Sequence, residues 1–96
     1  MYKSIFINLE YYSGAIGGVC NYVSDVIRSK SECTTALQKL NYRYSATFWS
    51  NSNSGIPAGC SIRNGGDRIP HLETSTGGAG KGRNDLIPIC KRSCKL

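Results

Sequence analysis

The sequence has few of the residues that enzymes and membrane proteins depend on. Its 96 residues include one histidine and six acidic residues. No apolar run approaches the roughly 18–20 residues of a membrane-spanning helix, so no such helix is predicted. No Asn-x-Ser/Thr sequon occurs, and N-linked glycan is not predicted. The N-terminal MYKSIFINLE is interrupted at Asn8 and Glu10, which is too soon for a signal-peptide core; if the protein is exported, we expect this chain to be a mature form or a fragment.

Cysteine, by contrast, is abundant. Five cysteines in so short a chain predict a disulfide framework, because a domain of this size buries too little surface to be very stable without cross-links. The candidates are Cys20, Cys33, Cys60, Cys90 and Cys94. Four of them suffice for two bridges, and the fifth is either a free thiol or a bridge to another chain. The sequence does not assign the pairs. We expect the terminal Cys94 to be the odd one, with the alternative that it bonds the partner of Cys90.

Basic residues outnumber acidic ones, and the formal net charge is +6. The excess is uneven: residues 63–96 carry a net charge of +4 and residues 1–62 a net charge of +2. Such a basic region suits contact with acidic glycans, phosphate or a membrane surface. The simpler interpretation is that the charge keeps the protein soluble.

The N-terminal residues predict an arm. Residues 4–12 alternate in polarity as a strand does, and glycines follow at 14, 17 and 18. We therefore divide the chain into an arm with a glycine joint, residues 1–17, and a cysteine-rich domain, residues 18–96. Such an arm can pair with the sheet edge of a neighbouring subunit. The alternative is an ordinary first strand of the same domain.

The clearest local pattern begins at Ser29. Ser29 and Glu32 form a capping box, which predicts a helix ending near Asn41. Its apolar positions recur at helical spacing: Cys33, Ala36, Leu37 and Leu40. Three further elements are predicted: a strand at 44–50, a hairpin at 60–70 that turns at Asn64-Gly65, and a short strand at 86–90.

The glycine-rich stretch 76–85, TGGAGKGRND, raises the question of a phosphate-binding loop. That motif needs a glycine five residues before Gly80, where this chain has Ser75, and a hydroxyl after Lys81, where it has Gly82. Pro88 also prevents the helix that should follow. The pattern instead favours a turn-rich connection without a nucleotide.

Metal and catalytic sites are not predicted either. His71 and Glu73, with Cys90 and Cys94, resemble a zinc-deaminase pattern, but its Pro-Cys and Cys-Cys spacings are each one residue too long here. A structural zinc on Cys20, Cys33, Cys90 and Cys94 would also have atypical spacing. The sole histidine, beside Pro70 and a polar loop, is expected on the solvated surface. We therefore predict no enzyme, no metal and no cofactor.

Five motifs follow one another from Gly18 onward: Gly18-x-Cys20-Asn21, Val26-x-x-Ser29, Cys33-x-x-Ala36-Leu37-x-x-Leu40, Ile56-Pro-Ala-Gly-Cys60-Ser and Pro88-Ile-Cys90-Lys91. Their order resembles a small cysteine-rich module of predicted extracellular proteins from algae and other aquatic microbial eukaryotes. The resemblance covers about residues 18–92 and implies secretion, disulfides and a surface or matrix role, with no established activity. The aromatic-rich arm at residues 1–14 and Cys94 lie outside the region of resemblance.

Together these observations predict a small disulfide-stapled α+β domain, with one main helix packed on a short antiparallel sheet. Cys33 and Cys60 are expected to bond cysteines elsewhere in the module. The predicted function is a non-catalytic extracellular structural or adhesive module, one form of which is a self-assembling subunit of a surface filament or coat. Its predicted partners are copies of itself, as an oligomer or polymer, and anionic glycans, with no nucleic acid and no membrane span. The candidate partner contacts are aromatic: Tyr2, Phe6, Tyr11, Tyr12, Tyr42, Tyr44 and Trp49.

Two alternatives stay open at this point. One is a secreted cationic effector, a toxin or defence protein that acts on anionic surfaces. The other is a peroxisomal protein, because Cys94-Lys95-Leu96 is similar to the Ser-Lys-Leu address. Disulfides do not belong in that compartment, so thiol content separates it from the extracellular hypotheses.

Overall fold

In the computed structural model, which describes residues 10–52, 55–74 and 77–93, one α-helix packs on a five-stranded sheet. The helix α1 spans Lys30–Lys39, and a short 3₁₀ turn spans Val23–Asp25. The strands are β1 (Tyr11–Ser13), β2 (Trp49–Asn51), β3 (Gly59–Arg63), β4 (Pro70–Glu73) and β5 (Leu86–Lys91). Their order across the sheet is β1-β5-β3-β4-β2. The predicted α+β class is confirmed; the sheet is mixed, because β2 pairs parallel to β4 while the other pairs are antiparallel.

The helix begins where the capping box predicts. The Ser29 hydroxyl accepts a hydrogen bond of 3.2 Å from the backbone amide of Glu32, which covers one of the unpaired amides of the first turn. The Glu32 carboxylate accepts a 3.4 Å hydrogen bond from the Tyr11 hydroxyl, so the helix is also tied to β1. Asn41 has a positive φ of 63°, a conformation that ends helices.

The predicted hairpin is present, but it is longer than the predicted 60–70, because β4 begins at Pro70 and residues 64–69 connect the strands in place of a tight two-residue turn. β3 and β4 pair antiparallel, with Cys60 opposite Leu72 and Ile62 opposite Pro70. Gly65 lies in the turn with a φ of 89°, which glycine adopts without steric cost. The strand predicted at 86–90 is present as β5, and it pairs with both β3 and β1.

The prediction of a strand at 44–50 is mostly wrong. Only Trp49–Asn51 forms a strand, and residues 42–48 are irregular. The aromatic residues Tyr42, Tyr44 and Phe48 pack against the main core without joining the sheet, so their β-propensity does not lead to a strand. Of the strand predicted at 4–12, β1 takes in Tyr11 and Tyr12, and residues 1–9 lie outside the described residues.

The sheet carries buried side chains on both faces. The face under α1 holds the larger cluster: Tyr11, Ile27, Cys33, Ala36, Leu37, Cys60, Ile62, Leu72 and Ile89. The opposite face holds a smaller one, with Tyr12 packed against it: Cys20, Val26, Ala58 and Cys90. Because the side chains of successive residues in a strand point to opposite faces, Tyr11 and Ile89 pack in the first cluster, while Tyr12 and Cys90 lie on the side of the second.

Candidate functional surfaces

The predicted disulfide framework is present as two bonds, one on each face of the sheet. Cys33 of α1 bonds Cys60 of β3 across 27 residues, and Cys20 bonds Cys90 of β5 across 70 residues. Cys33 and Cys60, which were expected to bond elsewhere in the module, bond each other. Each bond ties an interior strand to a segment that covers it. Cys94 lies outside the described residues.

A buried carboxylate next to the second disulfide joins both ends of the described chain. Asp25 is 3% exposed and accepts hydrogen bonds from the Tyr12 hydroxyl, the Ser93 hydroxyl and, at 3.2 Å, the Ser93 backbone amide. The Ser93 hydroxyl also lies 2.8 Å from that of Ser24. This Asp25 network connects β1, the 3₁₀ turn and the residues after β5, so its polar groups are used to hold the chain together.

Tyr12 is held from several sides. Its hydroxyl accepts a 3.0 Å hydrogen bond from the amide of Asn21, and the guanidinium of Arg92 lies 5.1 Å from the ring centroid. Burial, with the bond to Asp25 as the next cause, raises the pKa of Tyr12 to about 12. Tyr12 is therefore a neutral hydrogen-bond donor at any physiological pH.

The glycine-rich stretch is explained by close backbone packing. Gly80 has a φ of 78°, and a Cβ there would lie 2.3 Å from the Ala58 nitrogen. The amide of Lys81 donates to the Ile56 carbonyl at 3.1 Å, so it is not directed at a ligand. Arg28 donates to the carbonyls of residues 77 and 78, at 3.0 and 3.2 Å. Gly80 therefore lets the loop lie directly against the backbone of residues 56–58, and Gly82 does the same against Gly17.

His71 is not on the solvated surface, which corrects that expectation. The residue is 8% exposed, because it lies within β4 and its ring contacts Trp49 at a centroid distance of 5.0 Å. Its Nδ1 lies 3.1 Å from the Ile69 carbonyl. Burial lowers the pKa of His71; the Ile69 hydrogen bond opposes the shift, while the nearby Arg83 adds to it.

Three groups of interest for catalysis share the face of the sheet opposite α1. Ser61 lies directly across from His71, and Glu73 follows two residues later on β4. Ser61 is fully buried, and its Oγ has no hydrogen-bond partner in the described part of the chain. Glu73 is 1% exposed. Acyl-transfer chemistry needs a nucleophile bonded to its base and open to substrate, and this arrangement provides neither.

The zinc arrangement considered from the sequence is not assembled. Cys20, Cys33 and Cys90 are consumed in disulfides, and thiolates are the form that binds the metal. Within residues 10–52, 55–74 and 77–93, no three His, Cys, Asp or Glu residues are grouped as metal ligands.

Residues 42–49, which we call the aromatic segment, run back along α1 and expose part of each ring. The amide of Tyr42 donates to the Leu37 carbonyl at 2.9 Å, near the end of the helix. The Tyr44 hydroxyl accepts from Gln38 at 3.1 Å. Phe48 reaches the helix start, where the ammonium of Lys30 lies 5.1 Å from its ring centroid. The rings of Tyr42, Tyr44 and Phe48 are partly buried against the main core.

The predicted partner contacts fall into three groups. Tyr11 is buried in the main cluster and Tyr12 is in the Asp25 network, each paired with β5 of its own chain. Tyr42, Tyr44 and Trp49 are half-buried in the aromatic segment. Tyr2 and Phe6 lie outside the described residues.

Sequence reasoning missed three exposed apolar residues and the cations that flank the aromatic segment. The large hydrophobic residues that the described chain exposes are Ile16 (48%), Tyr22 (63%) and Val23 (52%). The residues around Ile16, Tyr22 and Val23 include several glycines and a cysteine and show no periodic pattern, so the exposure of these three side chains could not be predicted. The cations Lys30 and Arg68 were counted only as charge, since their aromatic partners, Phe48 and Tyr42, are distant in sequence.

No family model matches this chain, and comparison with curated proteins and solved structures finds no significant match. The geometry therefore carries the functional argument. No helix among the described residues is both long and apolar enough to cross a membrane.

Proposed function

We propose that the protein is a non-catalytic extracellular structural or adhesive module that acts through surface contacts. The observation that carries this proposal is the use made of its reactive side chains. Four cysteines form two disulfides, one on each face of the sheet, and Asp25 links β1 to the residues after β5 through hydrogen bonds. His71 and Ser61 lie buried within the sheet. What such a domain presents outward is a rigid surface.

The extracellular part of the proposal rests on the disulfides, which persist in oxidising compartments and are rare in the cytosol. To test this, the purified protein is denatured without reduction, its free thiols are alkylated, and its intact mass is measured. We expect four cysteines to resist alkylation and Cys94 alone to react, or to appear in a disulfide-linked dimer. Five alkylated cysteines would exclude the proposal and favour the peroxisomal alternative.

Contact with further copies of the chain is the second part of the proposal. The outer strands of the sheet are β1 and β2, and the free edge of a sheet can accept a strand from another chain. Trp49 lies in β2 and Tyr44 belongs to the aromatic segment that leads into it, and half-exposed aromatic residues are common in protein contacts. A strand from a neighbour that paired with β2 would approach this segment.

Sedimentation velocity over a range of concentrations tests this assembly. We expect wild-type protein to form larger species, and Tyr44→Ser to shift the distribution towards monomer. Tyr22→Ser is the matched control, because Tyr22 is 63% exposed on a different segment. A wild-type protein that stays monomeric at every concentration, or equal effects of the two substitutions, would contradict the assembly.

A second candidate is a cationic effector that acts on anionic surfaces. It is favoured by Lys81 and Lys91, which make no ion pair with the part of the chain that the structure describes. Strong, salt-sensitive binding to vesicles of anionic lipid, with leakage of their contents, would support this candidate over the adhesive module.

A further inference from the structure

The surface beside the aromatic segment carries three cations, Lys30, Arg43 and Arg68, which form no ion pair within the described ranges. Four of the six acidic residues are engaged elsewhere: Asp25 and Glu73 are buried, Glu10 pairs with Lys39 at 2.7 Å, and Asp85 pairs with Arg83 at 2.6 Å. The other two are closer in the chain to the cations but contact other groups: Glu32 accepts a hydrogen bond from Tyr11, and Asp67 lies 3.9 Å from Arg63. The three cations can therefore take an external anion as their partner.

Two of these cations are held in place by aromatic rings. The ammonium of Lys30 lies 5.1 Å from the Phe48 centroid, and the guanidinium of Arg68 lies 5.6 Å from the Tyr42 centroid. Arg68 also donates a 3.3 Å hydrogen bond to the Arg43 carbonyl. Long cationic side chains normally lose rotamer freedom when they bind an anion, and cations that are already ordered lose less.

The spacing of the cations suits an extended ligand. Lys30 is at the first position of α1, and Tyr42 is bonded to Leu37, seven residues along the helix. At 1.5 Å per residue, Lys30 and Leu37, the helix positions nearest to the two pairs, are about 10 Å apart along the helix axis. A single phosphate would not reach both sites. A chain that repeats its negative charges at intervals would reach both.

We propose that Lys30, Arg43 and Arg68 bind a sulfated polysaccharide. This inference rests on the proposed function, since such polymers lie outside cells, and it names a partner for the same aromatic segment. Sulfate groups accept charge-assisted hydrogen bonds from the guanidinium and ammonium groups. The Tyr44 hydroxyl and the Gln38 amide, near the end of α1, provide polar contacts for sugar hydroxyls.

The same contacts argue against two other polyanions. Single-stranded nucleic acid binds by stacking its bases on open aromatic faces, whereas in this protein three of the rings already have a neighbour, Lys30 at Phe48, Arg68 at Tyr42 and His71 at Trp49. An anionic membrane would favour exposed apolar side chains beside the cations, and the exposed Tyr22 and Val23 lie on another segment.

Retention of the full, disulfide-intact chain on immobilised heparin tests the inference, with salt elution as the readout. We expect Lys30→Gln/Arg43→Gln to weaken binding about tenfold, because two counterion-releasing contacts are lost. The matched control, Lys81→Gln/Lys91→Gln, removes the same charge elsewhere and should weaken binding much less. Lys30→Gln removes a cation from a helix N-terminus, so the fold should be retained, as circular dichroism would show.

Three results would overturn the inference. Equal weakening by the two double variants would mean that only net charge matters. Tighter binding to single-stranded DNA of equal charge would assign the surface to nucleic acid. Tighter binding to anionic vesicles would assign it to lipid. The heparin assay needs only the monomeric chain. A failure to bind heparin is therefore distinguishable from an absence of self-association and from an absence of disulfides in the thiol measurement.

Discussion

The hydroxyl of Tyr12 donates a hydrogen bond to the buried carboxylate of Asp25, and the other oxygen of that carboxylate accepts from Ser93. One side chain thus joins an edge strand to the residues that follow β5. We expect Asp25→Asn to lower the free energy of unfolding by about 2–3 kcal/mol, because an amide has one acceptor oxygen where the carboxylate has two. Urea unfolding measures this. Asp67→Asn, at an exposed position, is the control and should change stability by less than about 0.5 kcal/mol.

Removing either disulfide should destabilise the fold substantially. The bonds close stretches of 70 and 27 residues, so loss of Cys20–Cys90 or of Cys33–Cys60 should each cost about 3–4 kcal/mol in chain entropy. The paired substitutions Cys20→Ser/Cys90→Ser and Cys33→Ala/Cys60→Ala test this by thermal unfolding. A variant that unfolds with wild-type stability would show that its bond adds nothing to the fold.

The stability of the domain should fall in mild acid because of His71. The pKa of His71 is lowered in the folded state, chiefly by burial, so the unfolded chain binds the proton more readily. The stability that the neutral His71 ring contributes is fully present above the ordinary pKa of 6.5 and is lost progressively as the pH falls below that value. Urea unfolding followed by Trp49 fluorescence, from about pH 7.5 to 5.5, should show the decline. The free energy of unfolding of His71→Gln should not change with pH over the same range. An equal decline in this variant would assign the effect to other groups.

Glycine at position 80 should be required, whereas glycine at position 77 should not. A Cβ at Gly80 would lie 2.6 Å from the Ile56 carbonyl oxygen, on backbone of positive φ, while one at Gly77 meets nothing within 4 Å. We expect Gly80→Ala to cost at least about 2 kcal/mol and Gly77→Ala less than about 0.5 kcal/mol. Denaturant midpoints of the two variants provide the comparison. Equal midpoints would mean that the loop can lift away from residues 56–58 without cost.

Ser61→Ala should leave stability unchanged or raise it by up to about 1 kcal/mol, because the substitution removes a buried hydroxyl that has no partner in the described structure. Chemical denaturation measures this effect. Ser50→Ala, at an exposed site, is the reference substitution. A large loss of stability for Ser61→Ala alone would mean that the hydroxyl has a partner in solution.

The elements that the sequence predicts correctly are those with local causes. Ser29 and Glu32 set the start of α1 within four residues of chain, and Gly65 provides a positive φ in the β3–β4 connection. Such signals act between near neighbours, so they are visible without the tertiary structure. The strand at β5 was recognised because it is a short apolar run between turns.

The features that the sequence does not predict depend on distant contacts. The pairing of Cys33 with Cys60 needs β3 to lie under α1, and the burial of His71 needs the parallel edge strand β2. The irregular path of residues 42–48 is fixed by contacts to the helix, which override the β-propensity of the aromatic residues. The cationic surface likewise exists only once this segment returns along α1.

The nesting of the two disulfides has a consequence for how the molecule would be degraded. Cys20 and Cys90 enclose most of the chain, and Cys33–Cys60 lies within that span. A protease that cuts once, anywhere between residues 20 and 90, therefore releases no peptide, because the two pieces stay covalently joined. Breakdown would need a second cut or a reductant, so a nicked molecule would remain in one piece.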